Sequence, residues 1–521
     1  MCKTSFVTIL FALACELVSH GQDLLSTGFK FGTHAVGYTT IASYDLSRQP
    51  ISDQSLTGVE LKSFPNLPGR QVKIHLWYPA QANNGTNNFN FEEYVWETVS
   101  DLDYAPMTPE RKQLAIKEFI GSFDAVAGKT AQEAGFTMLL AAKTMAVKNA
   151  KPTESKFPVV IFPCWRSPTA ESIIAEFLAS HGYVVASTSL KGSWSNLPEI
   201  SVRGITSQSQ DLAYVIGELK KIPYADVSRI AMMGAGINAT SCLALIASHP
   251  EIMGFVSLDG GILSESEKQM LIQTTNYDAV NFRLPMLFIY APHPNISPVQ
   301  GEVFKYCQRQ FVKFPTMSEY YFLNYGIFEK LVPGIMGKTP GDVIQGNRWA
   351  SQVVLSYLNS TLGGGANTVQ QDVQNIPASF STSYELKPAL AVVPTLHELK
   401  VLLSTGSGEQ LTTLYNNIKQ TNPQPYSSKL MSDLFSWLGF NRDNDFKKRE
   451  ALLKVWLESM PNSSRGYFAA GRLAGARSEK SAAKENYLKA IELLEVDTDI
   501  FLDNLTRQRI KNIATQYISS N

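Results

Sequence analysis

Short apolar runs alternate with stretches of helical period through the first two thirds of the chain, and the pattern is sharpest in Arg229–Gly261. Within RIAMMGAGINATSCLALIASHPEIMGFVSLDGG, an apolar run meets a tight turn of small residues, then an apolar helix closed by His249-Pro250, then a second apolar run ending at Asp259. That order spells strand, turn, helix, strand, and strands joined this way run parallel. The same alternation brackets it. FPVVIF at Phe157–Phe162 reads as a buried strand, Ala170–Ser180 as a helix, and Tyr183–Ser187 as the next strand. Ser207–Leu219 reads as a helix and Leu284–Tyr290 as another buried strand. Met317–Phe322 is expected to be the last strand and Asn347–Leu358 the closing helix. Alternating strands and helices predict an α/β class, with a doubly wound, mostly parallel sheet whose site lies beyond the carboxyl ends of the strands.

Ahead of this core, Phe29–Asp45 and Val72–Tyr78 show period-two alternation and predict opening antiparallel strands. His75 shares a strand face with Lys73 and Trp77, which makes it a sheet-surface histidine. Between Asn83 and Ser155 lies an insert, with its helical part over about 88–150. Thr108 as cap, Pro109 at the first helical position and Glu110 in the first turn start one helix, and Ala131–Val147 is expected to form another. The glycine cluster at Leu362–Ala366 marks a domain boundary, giving an α/β domain over 22–365 and a mainly helical domain over 366–521. Within the latter, Ser463–Leu494 has the look of one tetratricopeptide unit, with Ala483, Tyr487 and Ala490 at packing spacings. A solenoid needs about three such units, so a simple helical hairpin is the alternative.

At 521 residues the chain exceeds what one hydrophobic core usually supports, in keeping with two domains. Lys plus Arg equals Asp plus Glu at 46 each, so no charge bias points to nucleic acid or an anionic membrane. Residues 1–21 read as a secretory signal: Lys3, a short apolar core over Phe6–Ala14, and Ser19-His20-Gly21 before a mature start at Gln22. The rival reading is a lipoprotein signal, Ala12-Leu13-Ala14-Cys15, with a lipid anchor on Cys15. A secreted or periplasmic protein is expected on the first reading and a membrane-anchored one on the second. No later stretch predicts a transmembrane segment. Cys164, Cys242 and Cys307 are too few and odd in number for a disulfide framework. No Cys or His pair has zinc-site spacing, so neither metal nor cofactor is implied.

From about Val72 to Leu362 the chain resembles the α/β-hydrolases, in the branch of the dienelactone hydrolases and platelet-activating factor acetylhydrolases. FPVVIF resembles the strand before that branch's oxyanion loop, and LASHGYVVAST the helix end and strand that follow it. IAMMGAGINATSCLALIASHPEI stands where the nucleophile elbow belongs, and GFVSLDGG where the acid strand belongs. The resemblance implies an ester or lactone hydrolase scaffold with a Ser-His-Asp triad.

Measured against that triad, the residues depart. The elbow pattern G-x-S-x-G reads Gly234-Ala235-Gly236-Ile237-Asn238, with glycine in the serine slot and asparagine in the last glycine slot. Glycine keeps the strained backbone of such a turn without steric cost, so the turn persists and its reagent does not. Asp259, 23 positions beyond Gly236, falls where the acid belongs. Tyr325-Gly326-Ile327-Phe328 places Ile327 where the base is expected, and Cys164-Trp165 replaces the His-Gly pair of the oxyanion loop. Four residues are candidate replacements. Thr240 lies a helical turn deeper than Gly236, and Cys242 is rotated away from it as a small buried hydrophobe. His293 is a loop histidine beside prolines and Glu329 a surface glutamate. The leading expectation is a non-catalytic descendant of an esterase that binds a small ligand or a protein partner. The alternatives are an active ester or lactone hydrolase with an unorthodox site around Asp259, and a helical interaction module with the hydrolase domain as scaffold.

Overall fold

The computed structural model describes residues 25–26, 28–51, 67–81, 88–123, 133–390, 393–420, 422–440 and 445–520. The leader at 1–21, with Cys15, lies outside the described residues. Two compact units divide the chain: Met1–Tyr277, Leu284–Val303 and Gln308–Lys387 form one, and Asp278–Arg283, Phe304–Cys307 and Pro388–Asn521 the other.

The first unit is built on one sheet. Its strands are β1 (Ala35–Asp45), β2 (Arg70–Ala80), β3 (Asn88–Asn90), β4 (Lys143–Lys148), β5 (Phe157–Ile161), β6 (Val184–Ser187), β7 (Ala225–Ala235), β8 (Ile252–Leu258), β9 (Met286–Tyr290), β10 (Arg309–Lys313) and β11 (Ser383–Lys387). They lie in the order β11-β10-β9-β8-β7-β5-β6-β2-β1-β4-β3. From β6 and β5 through β10 neighbours run parallel, while β2 is antiparallel to both β1 and β6. The parallel strands β5, β6, β8 and β9 are apolar and buried along nearly their whole length, as expected of a sheet covered on both faces.

The helices that matter to the site are α1 (Glu92–Asp103), α2 (Pro109–Gly121), α3 (Ser172–Ser180), α4 (Val202–Leu219), α5 (Ile237–Ile246) and α6 (Glu265–Ile272). Every residue of α3 and α5 is buried, so their continuous apolar sequence reflects helices packed on all sides. The expected start of α2 is present: the Thr108 hydroxyl accepts from the Arg111 amide and Pro109 stands at the first helical position. A buried ion pair ties β2 to α4, with Arg70 Nε and Nη2 donating to the two Asp211 carboxylate oxygens at 2.6 and 2.7 Å.

Several expectations are corrected. The insert segment Ala131–Val147 is not one helix; a helix over Glu133–Ala141 gives way to β4, where KTMAVK alternates exposed and buried positions. The last parallel strand is β10, and Met317–Phe322 is instead a loop ending in a short 3-10 turn over Glu319–Phe322. His75 is not on the sheet surface: it is fully buried, its Nδ1 is 2.9 Å from the Tyr38 hydroxyl, and burial lowers its pKa to about 3. The compact units part after Lys387 rather than at the glycine cluster, because 366–387 returns to the sheet and adds β11 antiparallel to β10.

The second unit is helical from Leu396 onward, with helices over Leu396–Thr405, Gly408–Ile418, Ser428–Phe440, Phe446–Ser459, Ser464–Ala476, Lys480–Leu493 and Asn504–Ser520. Ser464–Ala476 and Lys480–Leu493 form the expected hairpin: Ala483, Tyr487 and Ala490 are buried, and the Tyr487 ring lies so close over Gly471 that a β-carbon there would stand 2.8 Å from it. Its main core gathers Leu399, Leu411, Leu434, Leu452 and Trp456 with Val280 and Tyr306.

Candidate functional site

Gly236 joins β7 to α5 with φ 52° and ψ −134°, a backbone state that glycine holds freely and other residues only under strain. Gly234 lets the strand and helix approach, since a β-carbon there would lie 2.6 Å from the Ala239 backbone. A β-carbon on Gly236 would meet nothing within 4 Å. The turn therefore has the geometry of a nucleophile elbow with open space above its apex. Asn238, in the last slot of that pattern, is buried and sends its Nδ2 to the Pro163 carbonyl at 3.3 Å, tying the first turn of α5 to the loop after β5.

The order of the parallel strands, the antiparallel β2 and this turn at the end of β7 decide the architecture. The fold is that of the α/β-hydrolases.

Above Gly236 opens a cavity of about 540 Å³, a usual size for a small-molecule site. Gly236, Ile237 and Asn238 contribute to its wall from the elbow, Trp165, Arg166 and Glu171 from the segment after β5, Asp259 from the end of β8, and Glu319 and Tyr320 from the loop after β10. Phe119, Phe123, Ile200 and Met336 add apolar wall. All of these belong to the first unit.

Asp259 is 6 % exposed and holds φ 75°, followed by Gly260 at φ 70°. Burial, with the Glu319 and Glu267 charges nearby, raises its pKa well above the usual range. Glu267, on α6, accepts from the Thr240 hydroxyl at 2.7 Å, and burial with the Glu319 charge raises its pKa to about 7. Glu171 is fully buried and raised well above its ordinary range by desolvation. Arg166 lies 3.7 Å from Glu118.

The structure thus brings together Gly236, Asp259 and Trp165 and leaves out the others. Ile327 is buried in the hydrophobic core and is not on the cavity wall, so Glu319 and Tyr320 stand where the loop after the last parallel strand faces Asp259. Cys164 is buried beneath, its Sγ 3.7 Å from Ser189 Oγ, and burial pushes its thiol pKa up. Thr240 is committed to Glu267, and Cys242 points to the Met233 carbonyl at 3.8 Å. His293 is exposed and takes the Asn295 amide, while Glu329 takes the Gly334 amide at 2.7 Å; neither lines the cavity. Glu267 and Glu319 went unnoticed in the sequence because no motif spacing links them to Asp259. Among the described residues no group of three or more His, Cys, Asp or Glu is arranged to hold a metal ion, and no helix is long and apolar enough to cross a membrane.

No family model matches the chain, and no curated protein matches it. Among solved structures, a ferulic acid esterase from Streptomyces cinnamoneus aligns with a TM-score of 0.47 at 17 % identity, covering 70 % of this chain and 99 % of the esterase. A dipeptidyl aminopeptidase IV-like protein from Bacteroides ovatus aligns with a TM-score of 0.34 at 12 % identity, covering 63 % of this chain and 36 % of that one.

Proposed function

We propose that the first unit is a binding derivative of an ester or lactone hydrolase of the dienelactone hydrolase and acetylhydrolase branch, and that it forms no acyl-enzyme. One observation carries this reading: the elbow apex is Gly236, and among the described residues no histidine lines the cavity above it. Loss of the serine or histidine of a triad costs several orders of magnitude in rate, because the members act as a unit. Here both positions hold other residues. Trp165, 39 % exposed and on the wall, supports the same reading by taking up space that an oxyanion loop leaves for a tetrahedral intermediate. Purified protein is expected to turn over p-nitrophenyl acetate and butyrate no faster than buffer. Saturable turnover of either ester would overturn the reading.

A second reading is favoured by Asp259, Glu267 and Glu319 lining one cavity and by Glu267 titrating near neutrality. In it, a carboxylate draws a proton from water held in the space above Gly236, and the water oxygen attacks an ester carbonyl. A neighbouring protonated carboxyl returns a proton to the leaving alkoxide. Weak esterase activity that vanishes in Asp259→Asn would select it; equal rates in both proteins would remove it.

We further propose that residues 1–21 direct export and are removed. Intact mass of protein recovered from the producing cell is expected to begin at Gln22, and a lipid-modified Cys15 would instead show an anchored form.

A further inference from the structure

We propose that the cavity over Gly236 takes a planar aromatic molecule, its ring packed against Trp165 and Tyr320 as the next member of an edge-to-face series of rings in the wall. This rests on the binding reading above and names the chemistry of its ligand.

Exposure is the first argument. Trp165, Ile200 and Tyr320 are 39, 63 and 48 % exposed, and all three stand on the wall of this one cavity. Large apolar side chains gathered at one opening mark a place where a ligand covers them. Two of the three are rings, and they come from separate segments, Trp165 after β5 and Tyr320 after β10.

The way the rings are held is the second argument, and it selects an aromatic ligand over an aliphatic one. Tyr320 meets Tyr325 with ring centres 6.5 Å apart and planes at 83°, Tyr325 meets Phe123 at 5.8 Å and 72°, and Phe123 meets Phe119 at 5.3 Å and 81°. All four line the cavity. Each pair thus meets edge to face, the arrangement that the negative faces and positive edges of aromatic rings prefer. Phe119 and Phe123 belong to the hydrophobic core and Tyr325 packs against it, so the series is fixed at its inner end, while Tyr320 ends it in the open cavity. A ligand ring continues the series at Tyr320 and finds a further face in the Trp165 indole. A saturated ring of the same size gains apolar burial there but no such pairing.

Titration calorimetry of the full chain at pH 7 tests this with two probes of one skeleton, 2-naphthol and its fully saturated counterpart decahydro-2-naphthol. The saturated compound is the more hydrophobic, so a pocket that offers apolar burial alone prefers it. The account instead expects 2-naphthol to bind at least about fivefold more tightly, about 1 kcal/mol. Trp165→Leu and Tyr320→Leu each keep an apolar side chain at a partly exposed position and remove a ring. Each is expected to weaken 2-naphthol about fivefold or more and to leave decahydro-2-naphthol within about twofold. Trp194→Leu, at an indole 57 % exposed and outside the cavity wall, is expected to change neither. Equal affinities, preference for the saturated compound, no binding of 2-naphthol, or a loss in Trp194→Leu matching that in Trp165→Leu overturns the inference. So does 2-naphthol binding that is unaltered in both cavity variants. Ester turnover would instead overturn the binding reading itself.

Discussion

The β-carbon of a serine placed at 236 would meet no atom within 4 Å, yet the residue would have to hold φ 52°, which costs a residue other than glycine of order 1–3 kcal/mol. Gly236→Ser is therefore expected to fold with a loss of about 1–2 kcal/mol in urea denaturation and to show no esterase activity, since no imidazole accompanies it. Adding Ile327→His should change nothing, because Ile327 is buried in the core. Adding Glu319→His puts an imidazole beside Asp259 and is expected to give measurable ester hydrolysis; activity from the Ile327 pair and none from the Glu319 pair would contradict the assignment of the loop. At the same scale, the Glu267 pKa of about 7 exceeds its ordinary 4.5, so the folded state holds a proton that the unfolded state has released between those values. Stability from this group is full below about pH 4.5 and declines as pH rises to about 7. Glu267→Gln should flatten that decline, read as chemical denaturation midpoints across pH 4.5–7; an unchanged slope would count against the assigned titration. That Gly236 and Asp259 come together on one cavity wall was legible in the sequence, since both sit at fixed offsets within one βαβ unit. Glu319 was not. The aromatic run Glu319–Phe322 has the composition of a strand, while the real strand β10 carries Arg309, Gln310 and Lys313 and so lacks the apolar signature.

Elements were read best where burial is nearly complete on both faces, as in β5, the Ile230–Gly234 half of β7, most of β8 and α5, because their largely apolar character leaves few alternatives. They were read worst where polar side chains are buried with partners. β2 alternates like a half-exposed strand but is buried throughout, with Lys73 paired to Glu97 and Ser100 on α1 and His75 to Tyr38. Two substitutions probe how elements are joined. Gly234→Ala forces a β-carbon to 2.6 Å from the Ala239 backbone and is expected to cost about 1–3 kcal/mol, observed as a lower Tm. Asp211→Ala strands Arg70, 2 % exposed between β2 and α4, and is expected to cost about 3–5 kcal/mol in denaturant unfolding. A loss under 1 kcal/mol for Asp211→Ala would mean that the pair is not buried as described.

On the scale of the whole molecule, length pointed to more than one unit, but the glycine cluster does not mark where the units part. Residues 366–387 complete the sheet of the first unit, and the second unit draws Asp278–Arg283 and Phe304–Cys307 from within the first unit's sequence, which no composition shift signals. Val280 and Tyr306 are part of the second unit's core, and the Tyr306 hydroxyl bonds the Pro425 carbonyl. A fragment starting at Ala366 lacks both and is expected to melt at a lower temperature than the helical unit does in the full chain. The central proposal concerns the first unit: that its cavity over Gly236, lined by Asp259, Glu267 and Glu319, binds a ligand and forms no acyl-enzyme. Intact mass after incubation with a fluorophosphonate tests it most directly: the mass of the protein is expected to stay unchanged, and a stoichiometric covalent adduct would contradict it.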